Sequence, residues 1–321
     1  MNREQPRVIN IPGRRLRQAA TTLLHLHPLH SSSSLPPPPP PSPPPIRIVC
    51  ISDTHNTQPD LPFGEILIHA GDLTENGSFD ELQEQLAWLS RQPHPNKVVV
   101  AGNHDVLLDD AFLEKYPERK YRDSRTMQDL EWGDLHYLRD SSITLNVAAA
   151  TATAQDRESN DTRTMTIYGS PQTPQYGVSA FQYPRDQNIW ANNIPHNTDI
   201  VIAHGPPRLH LDQRDFHSAG CPYLAHEIAR VRPRLVVFGH IHVSYGREDV
   251  VLDWVRRGYE MVMNQWAGWE VVGGMAIGVL VAKLRHLFKL GGRREVTTFV
   301  NAAVVGGSGN ELMNSPIVVE L

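Results

Sequence analysis

Five short runs of apolar, largely β-branched residues recur along this 321-residue chain, and each stops abruptly at a cluster of Asp, Asn, His and Gly. The runs are Ile46–Ser52, Glu65–Ala70, Lys97–Ala101, Asp199–Ala203 and Arg234–Phe238. Runs of this length, without polar alternation, predict strands buried on both faces, as in a largely parallel sheet covered by helices. Helical spacing between them supports that pattern. Ser78–Arg91 places Leu82, Leu86 and Leu89 on one face behind a Ser78 or Asp80 N-cap, and Pro222–Val231 forms a second helix that Pro233 stops. Ile143–Val147 and Thr164–Tyr168 alternate as paired strands around a polar, Ala/Thr-rich insertion, Ala148–Arg163. The expected fold class is therefore α/β, with the strand ends gathered at one edge.

Those strand ends carry the chemistry. They read Asp53-Thr54-His55, Gly71-Asp72, Gly102-Asn103-His104-Asp105, His204-Gly205 and Gly239-His240-Ile241-His242. In extended backbone, residues i and i+2 face the same way, so Asp53 with His55, and His240 with His242, could each grip one ion. Asp72 offers two oxygens to bridge two cations, Asn103 a neutral oxygen and His204 another nitrogen. This oxygen and nitrogen set suits Mn, Fe or Zn better than Mg or Ca, and no cysteine takes part, against a structural zinc site. His104, beside Asn103, is the candidate proton donor, with Asp105 expected to orient and charge it. A lone histidine at a strand end more often satisfies a backbone carbonyl. That bland reading suits His69, His136 and His226, whereas the conjunction of seven ligand-type residues favours two divalent metal ions.

The remaining chain sets bounds. A net charge of −5 lacks the basic footprint of a dedicated nucleic-acid binder. The two cysteines, Cys50 and Cys221, fit a reducing, intracellular and cytoplasmic setting without a structural disulfide. Residues 1–45 read as a disordered arm: Arg3, Arg7, Arg14, Arg15 and Arg17 give a basic tail with a faint mitochondrial transit-peptide character, and Pro36–Pro41 with Pro43–Pro45 give a polyproline II spacer or SH3/WW-type ligand. The main domain is placed at 46–321, with insertions near 148–163 and 254–294. In the latter, Trp254, Tyr259, Trp266 and Trp269 precede the apolar Val271–Ala282 and the basic Lys283, Arg285, Lys289, Arg293 and Arg294. Two readings stay open there: a helix packed on the domain, or one lying in a membrane surface.

Together the five motifs resemble the signature of the calcineurin-like metallophosphoesterase superfamily, D-x-H, G-D, G-N-H-[DE], H and G-H-x-H. The similarity is greatest to its metallophosphoesterase-domain-containing branch, fungal relatives included. Supporting segments are Tyr168-Gly169-Ser170-Pro171, His204-Gly205-Pro206-Pro207, Phe299-Val300-Asn301-Ala302 and Pro316-Ile317-Val318-Val319. The resemblance implies a four-layer αββα sandwich with two mixed central sheets and a dinuclear site at the strand C-terminal edge. It implies one metal on Asp53, His55, Asp72 and His242, a second on Asp72, Asn103, His204 and His240, and His104 at the leaving group. A hydroxide shared by the metals would attack a small phosphate ester in line. Two departures stand out: Leu209 where relatives carry Gly, and Val243-Ser244 after His242 in place of an acidic, Gly-rich stretch. Protein phosphatases of the superfamily carry arginines where this chain has Asn76 and Ala101. Without those forks a dianionic monoester loses charge-assisted partners, so a phosphodiesterase, acting on cyclic nucleotides as the resemblance implies, is expected. The alternatives are a phosphomonoesterase or protein phosphatase, a membrane-docked lipid phosphoesterase, and a metal-stabilised binding scaffold.

Overall fold

The computed structural model describes residues 13–28, 45–148, 162–288, 295–307 and 309–321. These described residues fall into two compact units, one within the bounds 40–248 and 298–321, the other within 1–39 and 249–297.

In the larger unit, β1 (Arg47–Ile51), β2 (Ile66–Ala70), β3 (Asn96–Val100) and β4 (Leu135–Tyr137) run parallel, in that spatial order. The C-terminal β17 (Ile317–Glu320) closes the β1 edge antiparallel. A second, six-stranded sheet has β5 (Ser141–Ala148) antiparallel to β6 (Thr162–Ser170), Ile143 facing Ile167. It continues in parallel through β9 (Ile200–Ala203), β12 (Leu235–Phe238) and β14 (Thr297–Asn301), with β13 (Gly246–Val250) at the far edge. Three two-residue pairs complete the strands: β7 (Thr173–Pro174) with β8 (Gln182–Tyr183), β10 (Gln213–Arg214) with β11 (His217–Ser218), and β15 (Val305–Gly306) with β16 (Glu311–Leu312).

Period-two alternation assigns each side chain to a layer. Ile48 and Cys50 of β1, Ile66 and Ile68 of β2, and Val98 and Val100 of β3 meet Ile167, Ile200, Ile202, Leu235 and Val237 of the second sheet in one core. Their neighbours Val49, Ile51, Leu67 and Val99 point the other way, against Leu82, Leu86 and Leu89 of α2 (Phe79–Ser90). Ser78 caps α2 in a reciprocal capping box with Glu81, which satisfies two backbone donors at the helix start. After α3 (Asp110–Lys115), the next helix is α4 (Pro222–Val231), the crossover between parallel β9 and β12. The inner face of that sheet is taken by the first sheet, so a crossover helix must cover the outer one; α4 accordingly buries Leu224, Ala225 and Ile228. The architecture is the expected sandwich of two mixed sheets with helices. Both cysteines are buried and free.

Among the described residues, the smaller unit holds three helices: α1 (Gly13–Leu26), α5 (Trp254–Met263) and α6 (Trp269–Leu287). Leu16 and Ala20 of α1 meet Val255 and Val262 of α5 and Val272, Met275 and Val279 of α6 in a separate core. This corrects the expectation of a disordered arm over 1–45 for the part that forms α1. Its apolar stripe is short and broken by arginines, yet a two-turn stripe suffices when partner helices supply the opposite wall. The single domain expected over 46–321 likewise divides, since 254–287 belongs with α1. The proline run at 36–44, most of the insertion (149–161), and Lys289, Arg293 and Arg294 lie outside the described residues; Ala148, Thr162 and Arg163 belong to strands.

Candidate metal centre

Every ligand-type residue follows the C-terminal end of a parallel strand. Asp53 and His55 follow β1, Asp72 follows β2, Asn103, His104 and Asp105 follow β3, His204 follows β9, and His240 and His242 follow β12. The sheets meet at this edge, where Ser52 accepts from Val304 and donates its own amide to Ala302. Here the backbone leaves the strand conformation. Asp53, His55, Asp72 and His240 all have positive φ, at 53°, 42°, 55° and 68°. Non-glycine residues adopt this region at a cost, and such strain collects where surrounding contacts over-determine a functional geometry.

Three carboxylate-and-imidazole groups result, with ligand atoms within 4.8 Å of one another: Asp53, His55 and His242; His55, Asp72 and His104; and Asp72, His204 and His240. Asp72 ties them together. Its Oδ1 accepts from the His104 amide at 2.7 Å, while Oδ2 lies 3.3 Å from His204 Nε2 and 3.8 Å from His55 Nε2. Asn103 Oδ1 joins the third group, 3.1 Å from His204 Nε2. His242 Nε2 lies 3.2 Å from Asp53 Oδ1. The motif glycines make room for these carboxylates. A Cβ at Gly102 would overlap Asp72 Oδ1, and one at Gly239 would overlap Asp53 Oδ2.

Whether cations fit this set is decided by the imidazole tautomers. His55, His104 and His204 each turn Nδ1 to a backbone carbonyl: Thr74 at 3.1 Å, Glu75 at 2.6 Å and Ala70 at 2.9 Å. A carbonyl can only accept, so each Nδ1 carries the proton and each Nε2 presents its lone pair to the site when the ring is neutral. This is the arrangement of a metal-ligating histidine. His55 Nε2 is buried with no hydrogen-bond partner among the described residues, an acceptor whose burial is costly unless something binds it. Divalent cations fit.

The charges agree. Burial works to raise the Asp53 carboxyl, but the hydrogen bond and charge of His242 hold it well below the usual range. Burial is likewise outweighed at Asp72, held well below its usual range chiefly by His204. Burial would lower His204, yet Asp72 pulls it up to about 9, so without a cation a proton sits between them. His240 is pushed down to about 3, first by burial and then by the charge of His204. By contrast His69, also near 3 through burial, is satisfied: Nδ1 accepts from Gly71 N at 3.2 Å and Nε2 donates to Thr54 Oγ1 at 2.9 Å.

Two expectations need correction. His240 and His242 do not share an ion-gripping face. Past Gly239, His240 takes a left-handed conformation and His242 opens a 3-10 turn, so they fall in different groups. Asp105 does not orient His104, although its charge is among those that raise the imidazole, as expected. Its oxygens accept from Leu73 N (3.2 Å), Thr74 N (3.1 Å), Thr74 Oγ1 (2.8 Å) and Gly102 N (2.8 Å), which staples the Asp72 loop to the Asn103 loop. His104 is oriented instead by the Glu75 carbonyl.

Sequence reading also missed Ser179, which accepts from Asn103 Nδ2 (3.3 Å) and donates to Asn103 O (2.6 Å), turning Oδ1 of that amide to the site. It missed Tyr176, whose ring lies 4.8 Å from that of His240. A serine and a tyrosine more than 70 residues downstream carry no motif that could have placed them. Leu209, the departure from Gly, has φ 71°: the chain keeps a left-handed turn there despite its side chain.

Residues 46–244 match the calcineurin-like phosphoesterase family, and the chain belongs to it. Metallophosphoesterase domain-containing protein 1 of Homo sapiens is 36% identical over 218 residues, 62% of this chain and 61% of that protein. The probable rhamnogalacturonate lyase C of Emericella nidulans is 39% identical over 278 residues, 86% of this chain but 24% of that much longer protein. A UPF0046 protein of Caenorhabditis elegans is 31% identical over 214 residues, 63% of this chain and 70% of its own. The chain thus spans less than two thirds of the first two relatives. The crystal structure of TT1561 of Thermus thermophilus covers 64% of this chain and 85% of its own at TM-score 0.38 and 12% identity, too distant to inform the site.

Proposed function

We propose that this chain is a metal-dependent phosphodiesterase that works with two divalent cations, Mn, Fe or Zn by its donor set. The observation that carries the reading is the Asp72 carboxylate, shared between two groups of converging imidazoles, three of which (His55, His104 and His204) have Nδ1 protons fixed by carbonyls. Asp53, His55 and His242 would hold one ion, and Asn103, His204 and His240 the other, with Asp72 common to both. Two such ions supply the positive charge that acidifies a water and offsets charge on phosphoryl oxygens.

His104 is assigned to the leaving group. Its Nδ1 proton is fixed on the Glu75 carbonyl, so Nε2 faces the site. Burial works against its charge, but Asp72 and the Glu75 carbonyl outweigh it and the imidazole is more basic than usual. A protonated Nε2 can then deliver a proton to the departing oxygen.

The preference for a diester rests on two positions. Asn76 donates its side-chain amide to Glu81 at 3.1 Å, and Ala101 is fully buried, so neither offers a guanidinium to a second phosphate charge. The family relationship extends the proposal to cyclic nucleotides. The test compares kcat/KM for an aryl phosphodiester, the matching monoester and a phosphopeptide on the Mn-loaded protein. A diester advantage of at least about tenfold, worth roughly 1.4 kcal/mol in the barrier, is expected. Equal or better turnover of the monoester or phosphopeptide would refute the substrate class while leaving the metal centre standing.

A further inference from the structure

One face of α6 has no use in the fold just described. Val272, Met275, Val279 and Ala282 are buried, the first three against α1 and α5. Trp269, Ile277, Leu280, Leu284 and Leu287 are large, apolar and exposed, Ile277 to 66% and Leu287 to 73%. At about 100° per residue these five fall within one stripe roughly 80° wide, and Val281 and Phe288 widen it to about 120°, centred opposite the buried set. The ring of Trp254, itself exposed, lies beside Gly274 and Gly278, where no side chain competes, and extends the same surface.

Charge is arranged around this stripe. Lys283 and Arg285 are exposed and project at its two margins, roughly 40° beyond either edge by the same geometry. The one acid of the helix, Glu270, falls by the same geometry inside the widened stripe at its N-terminal end, where its carboxylate accepts from the Gly268 amide at 2.8 Å. An apolar stripe bordered on both sides by cations whose aliphatic stems can lie along it is complementary to an anionic lipid surface: acyl chains under the stripe, phosphate headgroups against the margins. The geometry also excludes a span, because the opposite face is committed to α1 and α5 and no helix among the described residues is long and apolar enough to cross a membrane.

We propose that the outer face of α6 docks this chain in the plane of an anionic membrane surface. The net charge of −5 means that the chain as a whole is repelled by such a surface, so binding must come from this local pattern.

Flotation of the full chain tests it, using vesicles of phosphatidylcholine with about a third phosphatidylserine and vesicles of phosphatidylcholine alone. Co-flotation with the anionic vesicles, weakened when salt rises from about 0.1 M to about 0.5 M, is expected. Lys283→Glu with Arg285→Glu should reduce partitioning at least about 25-fold, since each basic residue near the surface contributes about fivefold. Ile277→Gln with Leu284→Gln, both on exposed positions, should abolish it while far-UV circular dichroism and thermal midpoint hold. The proposal fails if folded wild-type protein does not float with anionic vesicles. It fails equally if the charge-reversed variant floats as well as wild type. Absent flotation together with self-association that the Ile277→Gln, Leu284→Gln variant removes would assign the face to a second copy instead.

Discussion

Asp105→Ala tests whether the Asp105 carboxylate holds the loop of Asp72 to the loop of Asn103. The carboxylate is fully buried and accepts four hydrogen bonds, three from backbone amides and one from Thr74 Oγ1. Truncation leaves four donors in a cavity. A buried donor left unpaired costs about 1–3 kcal/mol, and a water entering the vacated space recovers part of that, so a net loss of about 3–5 kcal/mol of stability is expected. Asp105→Asn keeps one carbonyl acceptor but turns an amide toward donors, and should lose about half as much. Because the staple joins the loop of Asp72 to the loop of Asn103, the two halves of the cation site should also loosen. The assay is urea unfolding of metal-stripped protein followed by near-ultraviolet circular dichroism, paired with calorimetric Mn²⁺ titration of the folded variant. A variant within about 1 kcal/mol of wild type, impaired only in turnover, would refute the staple and restore the reading in which Asp105 orients His104.

Two further substitutions probe the supports around the site and the smaller unit. Ser179→Ala frees the Asn103 amide to rotate, and should weaken one of two cation-binding events by about 10-fold or more with the unfolding midpoint nearly unchanged; Mn²⁺ titration reads this directly. Asp253 caps α5 through Val255 N (3.0 Å) and Arg256 N (3.1 Å) and meets His27 Nε2 at 3.2 Å, so Asp253→Ala should cost about 1–2 kcal/mol in the helical unit. Burial opposes its charge, but the His27 and helix-start hydrogen bonds hold the Asp253 carboxyl below its ordinary range. A depressed folded-state value means stability that is present above the unfolded carboxyl's pKa and is lost as pH falls through the folded one. The gap between wild type and variant should therefore be full near neutrality and shrink below about pH 4, as thermal unfolding at stepped pH would show.

What could be read in the sequence follows physical lines. Buried strands such as Leu235–Phe238 are legible because burial on both faces leaves an uninterrupted apolar run, and α2 is legible because Ser78 and Glu81 complete a capping box three residues apart. The ligand-type residues are legible because they punctuate strand ends that an α/β sheet gathers at one edge. Their partition is not, since the separation of His240 from His242 depends on a positive φ that nothing in Gly239-His240-Ile241-His242 announces. Long-range supports are equally silent: Ser179 reaches Asn103 across 76 residues, and Asp105 spans 32 to reach Leu73. Helix α1 escaped because Leu16, Ala20 and Leu24 make too thin a stripe to argue for burial until α5 and α6 are known to lie beside it.

The proposed metal centre turns on Asp72, whose carboxylate belongs to two of the three candidate ligand groups. The most direct measurement is bound Mn²⁺ per chain, by mass spectrometry of the dialysed protein, alongside turnover of an aryl phosphodiester, for wild type and Asp72→Ala. Two ions and metal-dependent turnover are expected in wild type, with at most one ion and no turnover in the variant. Two ions retained by Asp72→Ala, or wild-type turnover that persists after metal stripping, would contradict the proposed centre.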